Sequence, residues 1–188
     1  MKLSLRVILS VFFMSISALA LAQPAGDVKR TFYIVRHAEK DTGNNPAIST
    51  LGKERAADLY RKLKGKKIDL IMVTQYRRTG MTGDSLRIYK KIDSIHYAAD
   101  ATGEMFSKKI STLAARYKNI LVIGHSNTVP TIIRQAGVNS FMLKELPDNE
   151  YDNLFIVKTR KGQAMLQSKK YGVPSQPASN SVPMKISQ

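Results

Sequence analysis

The sequence contains no cysteine and no tryptophan, only 14 acidic residues against 30 Lys and Arg, and only 7% aromatic residues. Each shortage excludes something. Without cysteine there is no disulfide scaffold, no cysteine-based zinc site, no dithiol redox motif and no lipidated cysteine. The lack of a thiol also suits an oxidising compartment. A formal charge of +16 would fit a polycation, but 43% hydrophobic content is too high for a disordered one. At 188 residues the chain suits one domain with a sizeable core rather than two.

The first 22 residues have the composition of an export signal. Lys2 and Arg6 form a positive n-region, Val7 to Leu21 is almost wholly apolar, and Ala20-Leu21-Ala22 supplies the small-x-small pattern that precedes cleavage. Ser10, Ser15 and Ser17 interrupt a run shorter than the ~20 residues that a membrane span requires. The expectation is therefore cleavage near Ala22 and a periplasmic or secreted protein.

Beyond that point strands and helices alternate. Thr31–Val35, Asp69–Thr74, Ile92–Tyr97 and Ile120–Gly124 read as strands. Leu51–Leu63, Thr79–Tyr89, Gly103–Tyr117 and Thr128–Gln135 read as helices, and Leu154–Thr159 with Ala164–Gln167 as a final hairpin around Lys161-Gly162. This alternation predicts a three-layer α/β/α sandwich with a mainly parallel central sheet, spanning residues 23–171. Residues 172–188, rich in Pro, Ser, Gln and Asn, read as a disordered tail.

Three of the strands run directly into unusual polar residues: Arg36-His37, Gln75-Tyr76-Arg77-Arg78 and His125-Ser126-Asn127. In a parallel sheet the carboxyl ends of strands share one edge, where ligands bind. Two of the three histidines and at least two arginines would converge there. Guanidinium forks suit phosphate oxygens, and a histidine among cations stays neutral and nucleophilic. The N-terminus of the helix at Thr128 could add backbone donors toward the same anion. No H-x-H or H-E-x-x-H spacing points to a metal, and cationic neighbours oppose one. His96 reads as a surface or edge residue, Thr128 as a helix cap, and Glu39 with Lys40 as a structural pair beside the site.

These residues resemble the histidine phosphatase (phosphoglycerate mutase-like) superfamily. The resemblance lies in Val35-Arg36-His37-Ala38-Glu39-Lys40, Ile48-Ser49-Thr50-Leu51-Gly52-Lys53-Glu54-Arg55-Ala56, Thr74-Gln75-Tyr76-Arg77-Arg78-Thr79-Gly80-Met81-Thr82 and Val122-Ile123-Gly124-His125-Ser126. It implies a metal-independent phosphatase that needs no cofactor and passes through phosphohistidine at His37, with Arg36, Arg78 and His125 holding the phosphate. The short interval between Arg78 and His125 leaves little room for mutase lid insertions, so hydrolysis is expected. The general acid is expected at Asp100, with Glu104 as the alternative. The expected substrate is a small phosphorylated compound, either a phosphomonoester or a phosphoramidate. An exported protein that binds anions on the same fold without turnover is the alternative.

The basic excess, concentrated between Arg61 and Lys67 and again at Lys169-Lys170, suits attraction to anionic envelope components. Nucleic acid is not expected as the primary partner, since no binding motif or interleaved aromatic cluster accompanies the cations.

Overall fold

The structure, a computed structural model, describes residues 29–113 and 116–175. The chain runs β1 (Arg30–Arg36), α1 (Thr50–Leu63), β2 (Leu70–Thr74), α2 (Arg77–Lys90), β3 (Ser94–Tyr97), α3 (Glu104–Leu113), β4 (Asn119–Gly124), α4 (Val129–Gln135), β5 (Asn153–Arg160) and β6 (Gln163–Lys170). The six strands form one sheet in the order β3-β2-β4-β1-β5-β6. β1, β2, β3 and β4 pair in parallel, while β5 runs antiparallel to β1 and β6 antiparallel to β5.

Side-chain alternation along the strands makes the layers. Phe32 and Ile34 face a core shared with Phe106 of α3 and with Val129, Ile132 and Ile133 of α4. Tyr33 and Val35, one residue out of phase, face Leu59 and Leu63 of α1 and Leu86 of α2. Burying each such Leu or Ile contributes about 1.5–3 kcal/mol. The result is the expected α/β/α sandwich with a mainly parallel sheet.

Topology opens the carboxyl edge of the parallel strands, because the helices that follow neighbouring strands lie on alternate faces. β1 and β4 are neighbours, yet the chain leaves β1 toward α1 on one face and leaves β4 toward α4 on the other. Such a divergence opens a gap at the carboxyl ends of the two strands. β5 then enters from that same edge, with Leu154 opposite Val35, so the segment preceding it passes by the crevice.

Several element ends differ from the sequence reading. β3 begins at Ser94 rather than Ile92, and α3 is assigned only to Leu113, with Arg116 and Tyr117 outside it. α2 begins two residues early, at Arg77, because Tyr76 is already extended and serves as its cap. The hairpin is longer than its apolar stretches suggest, since the exposed Lys169 and Lys170 still pair with Leu154 and Asn153. Gly172–Ser175, read as the start of a disordered tail, is seated on the domain. Val173 O accepts from Arg55 Nη1 at 2.7 Å, and Ser175 Oγ accepts from Tyr151 N at 2.9 Å. The proposed signal at 1–22 and residues 176–188 lie outside the described residues.

Candidate active site

The crevice holds His37 at the end of β1 and His125 at the end of β4. Their rings lie 5.3 Å apart in an edge-to-face arrangement. The strand ladder brings them together: Arg36 stands opposite Gly124, and His37 N donates to Gly124 O at 2.9 Å. Both side chains are buried.

Hydrogen bonds assign the tautomers. His37 Nδ1 lies 2.7 Å from Ala38 O, and a carbonyl can only accept, so Nδ1 carries the proton and Nε2 keeps a free lone pair. His125 is the reverse. Its Nδ1 lies 3.2 Å from Arg78 Nη2, which can only donate, so its proton sits on Nε2, 3.0 Å from Thr74 Oγ1.

Both rings are neutral at physiological pH. Burial, foremost, lowers His37 to about 3; the bond to Ala38 O works against this, and the charges of His125, Arg78 and Arg36 lower it further. Burial also leads for His125, lowered to about 4, with Arg78 and Arg36 adding to it. Cationic neighbours thus reinforce neutrality, but desolvation is its main cause.

The arginines are fixed by different means. Arg36, 5% exposed, donates from Nη1 to Pro147 O at 2.9 Å and to Asp148 O at 3.0 Å, and its guanidinium stacks 4.1 Å from the Tyr151 ring centroid. Arg78 stacks 4.4 Å from the Tyr76 ring centroid, and burial lowers its pKa. Three buried side-chain polar atoms lack a hydrogen-bond partner among the described residues, and two of them are Arg36 Nε and Arg78 Nε. An unpaired buried donor costs about 1–3 kcal/mol. Two of them beside a pair of neutral histidines make a site suited to an anion with several acceptor oxygens.

Thr82 ties the parts together. Its hydroxyl accepts from Ala38 N at 2.9 Å and donates to Arg78 O at 2.7 Å, which links the loop after His37 to the first turn of α2. Glu39 does not pair with Lys40. It accepts a bidentate bond from Arg55, with Nη2 to Oε1 at 2.6 Å, and that pair is almost fully buried. Gly52 explains its place in the motif, because a Cβ there would collide with the Glu39 carbonyl.

His37, His125, Arg36 and Arg78 therefore come together. Asp100 and Glu104 make no described hydrogen bond to any of them. Asp100 Oδ2 accepts from Thr102 Oγ1 at 2.5 Å and from Glu104 N at 2.9 Å, so it closes the entry to α3. Glu104 is exposed in the first turn of that helix. The donors at the start of α4 are also taken, since Thr128 N and Val129 N both donate to His125 O. Thr128 Oγ1 accepts from His125 N at 2.9 Å rather than from the helix. His96 is exposed on the edge strand β3.

Two rings flank the histidines. Tyr76 lies 5.2 Å from His125 and Tyr151 lies 6.1 Å from His37, so four rings run in the order Tyr151, His37, His125, Tyr76. Tyr76 sits within a strand-end segment already singled out. Tyr151, in the Tyr151-Asp152-Asn153 stretch before β5, reads from sequence equally as a border of the cleft or as a turn, and the structure brings it beside His37.

Among the described residues, no three His, Asp or Glu side chains gather where they could hold a metal. No helix among them is long and apolar enough to cross a membrane.

No protein-family model and no curated protein sequence matches the chain. Solved structures do. A mycobacterial glucosyl-3-phosphoglycerate phosphatase superposes with a TM-score of 0.59 at 11% identity, over 77% of this chain and 100% of that one. The α-ribazole phosphatase of Shigella flexneri gives 0.53 at 13% identity, over 80% and 100%. A structure assigned as the phosphohistidine phosphatase SixA of Nakamurella multipartitia gives 0.56 at 16% identity, over 78% and 96%. The likeness is one of fold. The six-stranded mixed sheet between helical layers is consistent with the phosphoglycerate mutase-like fold.

Proposed function

We propose that this protein is a metal-independent phosphatase that hydrolyses small phosphomonoesters or phosphoramidates through a phosphohistidine on His37. The observation that carries this reading is the pairing of a neutral His37, its Nε2 lone pair left free by the bond to Ala38 O, with the unpartnered Nε donors of Arg36 and Arg78.

In the first step the Nε2 lone pair of His37 attacks phosphorus. The bond from phosphorus to the leaving group breaks, and its electron pair departs with that group. Arg36 and Arg78 donate to the phosphoryl oxygens and stabilise the charge that spreads over them, and His125 joins them by turning its Nε2–H from Thr74 Oγ1 to the phosphoryl group. In the second step water attacks the phosphorus, the N–P bond breaks, and the pair returns to Nε2 as inorganic phosphate forms. The placement of Asp100 at the α3 entry supports preference for leaving groups that depart without a strong acid, such as phosphoramidates and aryl phosphates. The phosphatase identities of the solved structures with this fold support the same reading.

Export belongs to the proposal as well. It rests on Lys2, Arg6, the apolar run Val7–Leu21 and the Ala20-Leu21-Ala22 pattern. An intact-mass measurement on the protein recovered from its native cells tests it, with a start at Gln23 expected.

Activity is tested with p-nitrophenyl phosphate, a sugar phosphate, a nucleotide and a phosphoramidate in the presence of EDTA. Chelator-resistant turnover that falls by at least about a thousandfold in His37→Ala is expected. Phosphate binding should persist in that variant. Turnover that survives the substitution would sink the mechanism.

A further inference from the structure

The edge of the sheet opposite the histidines is strongly basic. It consists of the connections that enter the parallel strands and of the β5–β6 turn, which the pairing of Arg30 with Thr159 places at the same end. Lys64, Lys66 and Lys67 precede β2, and Lys90 and Lys91 precede β3. The segments 116–118, 29–30 and 160–161 contribute two cations each. That makes eleven of the chain's 30 Lys and Arg, accompanied among the described residues by two acids, Asp69 and Asp93. Asp69 is engaged inward, its Oδ2 accepting from Lys118 N, Asn119 N and Asn119 Nδ2.

Helix dipoles account for only part of this charge. Of the eleven, Lys90 sits in the last turn of α2, and Lys64 and Lys91 are the C-caps of α1 and α2, where cations complement the dipole. Lys66 and Lys67, and the cations before β1 and β4, lie outside any helix and its caps. Lys64, Lys66, Lys67 and Lys91 are exposed; Lys64, Lys66 and Lys91 make no ion pair among the described residues, while the charge of Lys67 helps to lower the pKa of Asp69. So many like charges on one edge repel one another unless an extended anionic partner takes them up.

One feature favours a bilayer over a polynucleotide. Ile88 and Tyr89, 58% and 73% exposed, stand in the last turn of α2 next to Lys90 and Lys91. An apolar and an aromatic side chain beside cations suit the headgroup interface, whereas single-stranded nucleic acid asks for aromatics distributed along the basic track.

We propose that this basic edge docks the domain onto an anionic phospholipid bilayer, with the histidine crevice facing away from the lipid. The site thus stays open to soluble substrates while the domain is held at the surface.

The test uses the processed protein, its N-terminus read by mass spectrometry, and vesicles with or without phosphatidylglycerol at physiological salt. Each surface cation contributes roughly fivefold in affinity near such a membrane. The quadruple variant Lys64→Gln, Lys66→Gln, Lys67→Gln, Lys91→Gln should lose affinity for anionic vesicles by roughly two to three orders of magnitude. It should keep its melting temperature and its turnover of a soluble aryl phosphate. A control with equal charge loss elsewhere, Lys53→Gln, Lys108→Gln, Lys109→Gln, Lys169→Gln, should bind nearly as the unmodified protein does. The proposal is overturned by any of three results: wild-type binding that ignores phosphatidylglycerol, equal losses in both variants, or tighter binding to duplex DNA than to the vesicles at the same salt. None of these touches the phosphatase reading, which the soluble assay reports separately.

Discussion

At the residue scale, the chemistry depends on which ring nitrogens are free. Ala38 O holds the proton of His37 on Nδ1, and Arg78 holds that of His125 on Nε2 by donating to its Nδ1. Both rings lose basicity chiefly through burial, His37 to about 3 and His125 to about 4. Their neutral forms should therefore sustain turnover well below the ordinary histidine value of about 6.5. A kcat/KM profile on a substrate whose own ionisation is constant should stay level through neutral pH and fall only toward pH 4. A break near 6.5 would mean ordinary, solvated histidines. Stability follows the same sign. Below about 6.5 the unfolded chain binds protons that the folded rings refuse, so this contribution is complete above that pH and is lost as pH falls toward the folded values. Thermal melts of His125→Asn should accordingly decline less steeply over that interval than those of the wild type.

At the scale of elements, the site is assembled by contacts between segments far apart in sequence. Thr82 bridges the loop after β1 to the start of α2. Thr82→Val would leave Ala38 N without its partner, at a cost of about 1–3 kcal/mol by chemical denaturation, with a loss of kcat beyond what that destabilisation explains. Glu39→Gln weakens the buried pair with Arg55, whose Nη1 also holds Tyr171 O and Val173 O. A loss of about 3 kcal/mol is expected, together with faster amide exchange in residues 171–175. Strands and helices were readable because their apolar periods are strong: Phe32 and Ile34 against Tyr33 and Val35 announce a strand buried on both faces. Their polar successors then placed Arg36, His37, Arg78 and His125 at one edge. Long-range pairing was not readable. Nothing local in Glu39 names Arg55 over Lys40, nothing in Tyr151 signals a stack on Arg36, and the composition of 172–175 hides its hydrogen bonds to α1 and the β5 entry. Asp100 shows the reverse failing. Its position suggested an acid, yet its Oδ2 serves the nearby Thr102 Oγ1 and Glu104 N.

At the scale of the whole molecule, charge and topology divide the domain. The carboxyl edge of the parallel strands carries the neutral histidines and the two arginines, and the amino edge carries the basic surface. Export, surface attachment and phosphate chemistry would then occupy separate regions of one small fold. Phosphate chemistry at this edge rests on covalent catalysis at His37. It is tested by mixing the protein with a phosphoramidate or aryl phosphate, quenching in alkali within the first turnovers, and mapping the modified peptide by mass spectrometry. One phosphoryl group is expected on the His37 peptide, stable in base, labile in acid and missing from His37→Ala. Turnover without any phosphorylated His37, or a phosphoryl group on another residue, would contradict it.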